Sequence, residues 1–122
     1  MNVFIIDDHV LFRKGLRFLL SDLDNSINFF EADSCEKALE MNNIGAIDLV
    51  LLDYYLPGTG GLTALDLVKE RFNTAPVIIL SSEDNPKIIR DAIENGASGF
   101  IPKSSSAEIM IAALRLIIAG GI

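Results

Sequence analysis

Four places in this 122-residue chain carry side chains suited to moving a phosphoryl group. Asp7-Asp8 follow the apolar run Val3-Phe4-Ile5-Ile6, and Asp53 follows Leu49-Val50-Leu51-Leu52. Ser81-Ser82 follow Pro76-Val77-Ile78-Ile79-Leu80, and Lys103 lies just past Gly99-Phe100-Ile101. Carboxylates gathered at one point repel and raise one another's pKa unless a cation neutralises them. A hard divalent ion with oxygen ligands is the natural counter-charge, and magnesium typically combines one or two carboxylates with waters and phosphate oxygens. A carboxylate can also attack a phosphoryl group to give an aspartyl phosphate. That in-line transfer needs positive charge on the equatorial oxygens and little else from the protein. A metal would supply part of that charge and Lys103 the rest, while the Ser81 hydroxyl could donate to a remaining oxygen. Singly, acids and serines in such places are ordinary turn and cap residues. At the ends of successive strands they make a set.

The elements that must position them alternate along the chain. The short, continuous apolar runs suit strands buried on both faces, as in a parallel sheet; residues 27–30 and 99–101 are weaker members of the series. Between them lie helical patterns, with Phe12, Leu16, Leu19 and Leu20 at i, i+4, i+7 and i+8, and Ile89, Ala92, Ile93 and Gly96 at i, i+3, i+4 and i+7. Asp33 with Glu36 three residues later reads as a capping box. Asn85-Pro86 offers an N-cap and a first-turn proline, and Asn95-Gly96 a left-handed stop. Pro57-Gly58-Thr59-Gly60-Gly61 reads as a loop. Five βα units predict a doubly wound α/β fold, one parallel sheet with helices on both faces and right-handed crossovers. Ligands in such sheets bind at the carboxyl ends of the strands, where the polar residues fall.

Composition limits the function classes. Half the residues are hydrophobic and 22% are charged, which excludes a disordered chain. Seventeen acids against ten Lys and Arg give a formal charge of −7, so this segment alone is a poor binder of phosphate backbones. No apolar run approaches a membrane span, and the N-terminus has no basic region of a signal peptide. The single cysteine, Cys35, cannot form an internal disulfide and fits a reducing, cytoplasmic setting; it reads as a small residue in the first turn of the second helix. His9, alone at a strand–helix junction, reads as a capping or packing residue.

Together these stretches, with Phe4-Ile5-Ile6-Asp7-Asp8-His9, Asp48 to Gly58, Val77 to Ser82 and Gly96 to Lys103 as they stand, resemble the receiver domain of two-component response regulators over essentially the whole chain, 1–122. The resemblance implies a flavodoxin-like receiver fold with a five-stranded parallel sheet in the order 2-1-3-4-5. It implies that Asp53 is the phosphoacceptor and that Asp7, Asp8, Asp53 and the backbone carbonyl of Tyr55 hold Mg2+ (or Mn2+). Ser81 would be the switch hydroxyl, Phe100 the switch aromatic and Lys103 the phosphate partner. Tyr55 and Glu83, two residues after Asp53 and Ser81, fall where the family tunes the lifetime of the phosphoryl group, with Tyr55 expected to shield it from water. Ser104 stands where many receivers carry proline, and Phe100 lacks the hydroxyl of the commoner tyrosine.

The ending Gly99-Phe100-Ile101-Pro102-Lys103-Ser104-Ser105-Ser106 narrows the resemblance to the NarL/FixJ type, whose members carry a C-terminal LuxR-type helix-turn-helix. The implied partners are a sensor histidine kinase and a second copy, forming a homodimer on phosphorylation, with DNA reached only through that further domain and no membrane. No turnover of an external substrate is expected. A stand-alone receiver is the alternative. An aspartate-nucleophile phosphatase of the haloacid-dehalogenase type would need a second aspartate two residues after the nucleophile, where His9 and Tyr55 stand. Flavodoxin-type and Walker-type phosphate loops are missing after the first strand. The last helix carries two apolar stripes, Ile109, Ala112, Ala113 and Leu116, and Ile111, Leu114 and Ile118; one suffices for the core, and a monomer has little reason to wet the three large aliphatics of the second, so it is read as an interface.

Overall fold

A computed structural model describes residues 1–42, 44–83 and 85–120. The five apolar runs form strands β1 (Asn2–Ile6), β2 (Asn28–Ala32), β3 (Leu49–Asp53), β4 (Val77–Ser81) and β5 (Gly99–Pro102). Helices α1 (Val10–Leu23), α2 (Cys35–Glu40), α3 (Gly61–Arg71), α4 (Pro86–Glu94) and α5 (Ala107–Ile118) alternate with them. All four ladders are parallel and the order is β2-β1-β3-β4-β5, as the resemblance implies. No helix among the described residues is long and apolar enough to cross a membrane.

Alternation along each strand divides the core in two. Phe4 and Ile6 of β1, Val50 and Leu52 of β3, and Val77 and Ile79 of β4 pack with Ala38 of α2, Leu65 and Val68 of α3 and Ala92 of α4. Val3 and Ile5, Leu49 and Leu51, and Ile78 and Leu80 pack on the other face with Leu16 and Leu20 of α1 and Met110 and Leu114 of α5. Continuing that alternation puts Asp7 and Asp53 in phase with the α1/α5 face. Ser81 continues the phase of Val77 and Ile79, and Phe100 packs against that same α2–α4 face.

Two local expectations are corrected. The cap of α2 is Ser34, whose Oγ accepts from the Lys37 amide, rather than Asp33. Glu36 turns away to the Thr59 amide at 3.3 Å, tying α2 to the loop after β3. In α5, the core side is centred on Met110 and Leu114, while Ile109 and Leu116 are 61% and 57% exposed. Leu114 therefore belongs to the core and the wet stripe is Ile109, Ala112 and Leu116. This helix is apolar nearly all round, so its sequence has no polar face to mark the outside. The other boundary signals hold: Asn85 accepts from the Lys87 amide ahead of α4, and Gly96 ends that helix at φ 99°. Cys35 is buried in the first turn of α2.

Candidate functional site

The ladder delivers the polar residues to one edge of the sheet. The Asp7 amide donates to Ala32 O at 3.0 Å, the Tyr54 amide to Leu80 O at 2.8 Å and the Lys103 amide to Ser81 O at 2.7 Å. Each of these bonds carries a ladder one residue past the end of a strand, which fixes the backbone that presents the side chain. The turn after β3 closes through Gly61 N to Tyr54 O at 2.8 Å. Gly60 is required in it, since a Cβ there would lie 2.8 Å from Leu56 O.

At this edge Asp7, Asp8 and Asp53 meet Lys103. The Lys103 Nζ lies 2.8 Å from Asp7 Oδ2 and 3.3 Å from Asp53 Oδ2. Asp7 and Asp53 are 0% and 1% exposed, and Asp7 Oδ2, Asp8 Oδ1 and Asp53 Oδ2 are buried without a hydrogen-bond partner. The ammonium near two of these oxygens gives them charge without hydrogen-bond geometry. Burial, and then the neighbouring Asp7 carboxylate, push the Asp53 carboxyl above its ordinary value; Lys103 pulls back only part of the way. Three acids with orphaned oxygens and a single ammonium are short of positive charge, which is the requirement of a hard divalent ion.

The remaining sequence-predicted residues fall close by. Asp53 Oδ1 accepts from the Tyr55 amide at 3.2 Å. The Tyr55 hydroxyl donates to Glu83 Oε2 at 3.2 Å, so the tuning pair links the loops after β3 and β4. Ser81 is buried, with Oγ accepting from the Glu83 amide at 3.0 Å. Phe100 is half-buried, one strand away, opposite Ile79.

Three residues of the site escaped sequence reasoning. His9 is the N-cap residue of α1, yet its side chain caps nothing. Its amide donates to Asp7 Oδ1 at 2.8 Å, and the half-exposed ring turns one edge to the acids, so that Nδ1 lies 3.0, 3.5 and 3.6 Å from oxygens of Asp7, Asp8 and Asp53. The signal was its place directly after the acid pair. Phe12 supports the lysine, with the ammonium 4.7 Å from its ring centroid. Arg13 donates to the Asp7 carbonyl and to Glu31 Oε1, holding α1 against the ends of β1 and β2. In the sequence Phe12 reads only as a helix position, and nothing singles out Arg13.

Residues 3–115 match the family described as the response regulator receiver domain. The chain is 32% identical over 121 residues to the transcriptional regulatory protein YdfI of Bacillus subtilis, covering 99% of this chain and 56% of that one. It is 35% identical over 114 residues to the nitrate/nitrite response regulator protein NarP of Escherichia coli, covering 93% and 53%. The chain thus spans about half the length of these curated relatives. Among solved structures it is similar to the signal receiver domain of the response regulator NarL from Mycobacterium tuberculosis, with a TM-score of 0.80, 36% identity and coverage of 99% and 97%.

Proposed function

On the premise that this chain belongs to the response regulator receiver family, we propose that it accepts a phosphoryl group on Asp53 and uses it to switch a protein surface. The observation that carries this reading is the buried Asp53 Oδ2, without a hydrogen-bond partner and flanked by Asp7, Asp8 and Lys103. A carboxylate oxygen of Asp53 attacks phosphorus, a new O–P bond forms, and the P–N bond of a phosphohistidine or the P–O bond of an acyl phosphate breaks to release imidazole or carboxylate. Asp53 is 1% exposed, so the donor reaches it only as neighbouring side chains give way. Asp7, Asp8 and Asp53, with the Tyr55 carbonyl, would hold Mg2+ (or Mn2+), which supplies charge neutralisation to the phosphoryl oxygens. Lys103 neutralises a further oxygen from the side of β5.

The switch follows from placement. Ser81 and Phe100 lie on the α2–α4 side of the sheet, so a Ser81 hydroxyl drawn towards the phosphoryl group leaves space into which Phe100 turns, moving the surface of α4 and β5. Such contacts shift the equilibrium only so far as they are better in the phosphorylated state. Tyr55, held by Glu83, shields the product from water. The phosphoryl donor is a sensor histidine kinase, and the outcome is a change in dimerisation. The name of YdfI, a transcriptional regulatory protein, supports a role as the regulatory part of a transcription factor; in this reading that factor is of the LuxR type and reaches DNA through another domain in the cytoplasm, with no external substrate turned over.

Intact mass after incubation with acetyl phosphate and Mg2+ tests the reading. A labile single-phosphoryl adduct is expected on the parent and not on Asp53→Asn or with EDTA. An adduct that forms equally in EDTA, or none on the parent with either acetyl phosphate or purified histidine kinases, overturns it.

A further inference from the structure

His9 has no assigned role in the phosphoryl chemistry, yet its ring nitrogen lies within 3.6 Å of Asp7, Asp8, Asp53 and Lys103. We infer that His9 Nδ1 is a nitrogen ligand of the divalent-cation site, giving this pocket a selective gain in affinity for borderline first-row ions such as Co2+ over Mg2+. The inference rests on the proposed cation site and concerns its donor set.

Two observations carry it. Nδ1 and one oxygen each from Asp7, Asp8 and Asp53 all lie within 4.8 Å of one another. Ligands at right angles around an ion of this size lie about 3 Å apart, and the Nδ1–oxygen separations are 3.0, 3.5 and 3.6 Å. Second, Lys103 Nζ stands 2.8 Å from Nδ1 and also 2.8 Å from Asp7 Oδ2. An ammonium has only donors and a carboxylate only acceptors, so Nδ1, which also lies 3.0 Å from Asp7 Oδ1, meets the lysine with its lone pair in one tautomer and Asp7 with its proton in the other. The ring is 57% exposed, which leaves Nε2 free to meet water. In the first tautomer Nδ1 faces a cation as it would a metal ion, beside Asp7 Oδ2 and Asp53 Oδ2, which lack hydrogen-bond partners. An ion of higher charge seated among the same atoms finds three oxygens and one imidazole nitrogen. Oxygen-only sites suit magnesium, whereas imidazole suits the later first-row ions. The second ligand class therefore raises affinity for Co2+ while leaving that for Mg2+ nearly unchanged.

The chain has a single histidine, so an untagged protein gives an unambiguous readout. Calorimetric titration of the parent and His9→Ala with CoCl2 and with MgCl2 is paired with pulsed EPR of the Cu2+-loaded parent. The Co2+ dissociation constant is expected to rise tenfold or more in the variant, the scale on which supports of a metal site act, with that for Mg2+ within about twofold and the fold intact by circular dichroism. The Cu2+ spectrum of the parent is expected to show coupling to an imidazole nitrogen. Equal loss for both ions, no loss for Co2+, or no imidazole coupling in the parent overturns the inference and leaves the cation site standing. No binding of any of the three ions to the parent overturns the site as well.

Discussion

Strands β1 and β3 contain two regions buried to the same depth with opposite energetics. Val3 to Ile6 and Leu49 to Leu52 are at most 1% exposed and wholly apolar, packed from both faces of the sheet. One residue further, Asp7 and Asp53 are equally buried, but their outer oxygens lack hydrogen-bond partners and the Asp53 carboxyl is held above its usual value. The strand bodies contribute folding free energy through area removed from water. The strand ends give some of it back, because a buried charge with incomplete partners is destabilising. The difference marks where the proposed cation and phosphoryl group would act: they would relieve the ends, whereas nothing that binds at the edge improves the bodies.

Mutating the body breaks the comparison from one side. Leu52→Ala removes a side chain packed between Ile6 and Ile79 and is expected to cost about 2–5 kcal/mol in urea unfolding. Its folded fraction should still accept phosphate, so lost acceptance should follow lost structure. Filling the end tests the other side. At a hundred times the dissociation constant, Mg2+ is expected to stabilise the parent by roughly 2.7 kcal/mol in thermal unfolding. Asp7→Asn should diminish that increment by weakening the site.

Neutralising the acceptor separates charge from burial. Asp53→Asn without metal is expected to raise stability by on the order of 1 kcal/mol at neutral pH, the scale of a relieved buried polar group. The sign follows from the direction of the shift. A carboxyl whose folded pKa is raised destabilises the fold when ionised, and that cost exists in full above the folded pKa. The advantage of the variant should shrink as pH falls through the raised value and vanish below the ordinary carboxylate range. A constant advantage across that span would mean the repulsion is absent. The smallest effect is expected far from both regions: Leu116→Ser on the exposed stripe of α5 should change stability by no more than about 0.5 kcal/mol.

The sequence made the strand bodies legible because runs buried on both faces have no polar alternation to confuse them. It made Asp7, Asp8, Asp53, Ser81 and Lys103 legible because each ends or follows such a run. What it hid depends on side-chain direction. The His9 ring turns one edge to the acids, and Arg13 and Phe12 matter through contacts to the Asp7 carbonyl and Lys103. None of these has a spacing signature. The inner face of α5 was hidden for the opposite reason, since Met110 and Ile109 are equally apolar neighbours and packing alone separates them.

The proposed acceptor of the phosphoryl group is the buried Asp53, rather than its more accessible neighbour Asp8, which is 34% exposed. Borohydride reduction of the phosphorylated chain converts an aspartyl phosphate to homoserine, which peptide mass mapping locates. Homoserine at position 53 alone is the expected result; homoserine at position 7 or 8, with Asp53 unchanged, would contradict it.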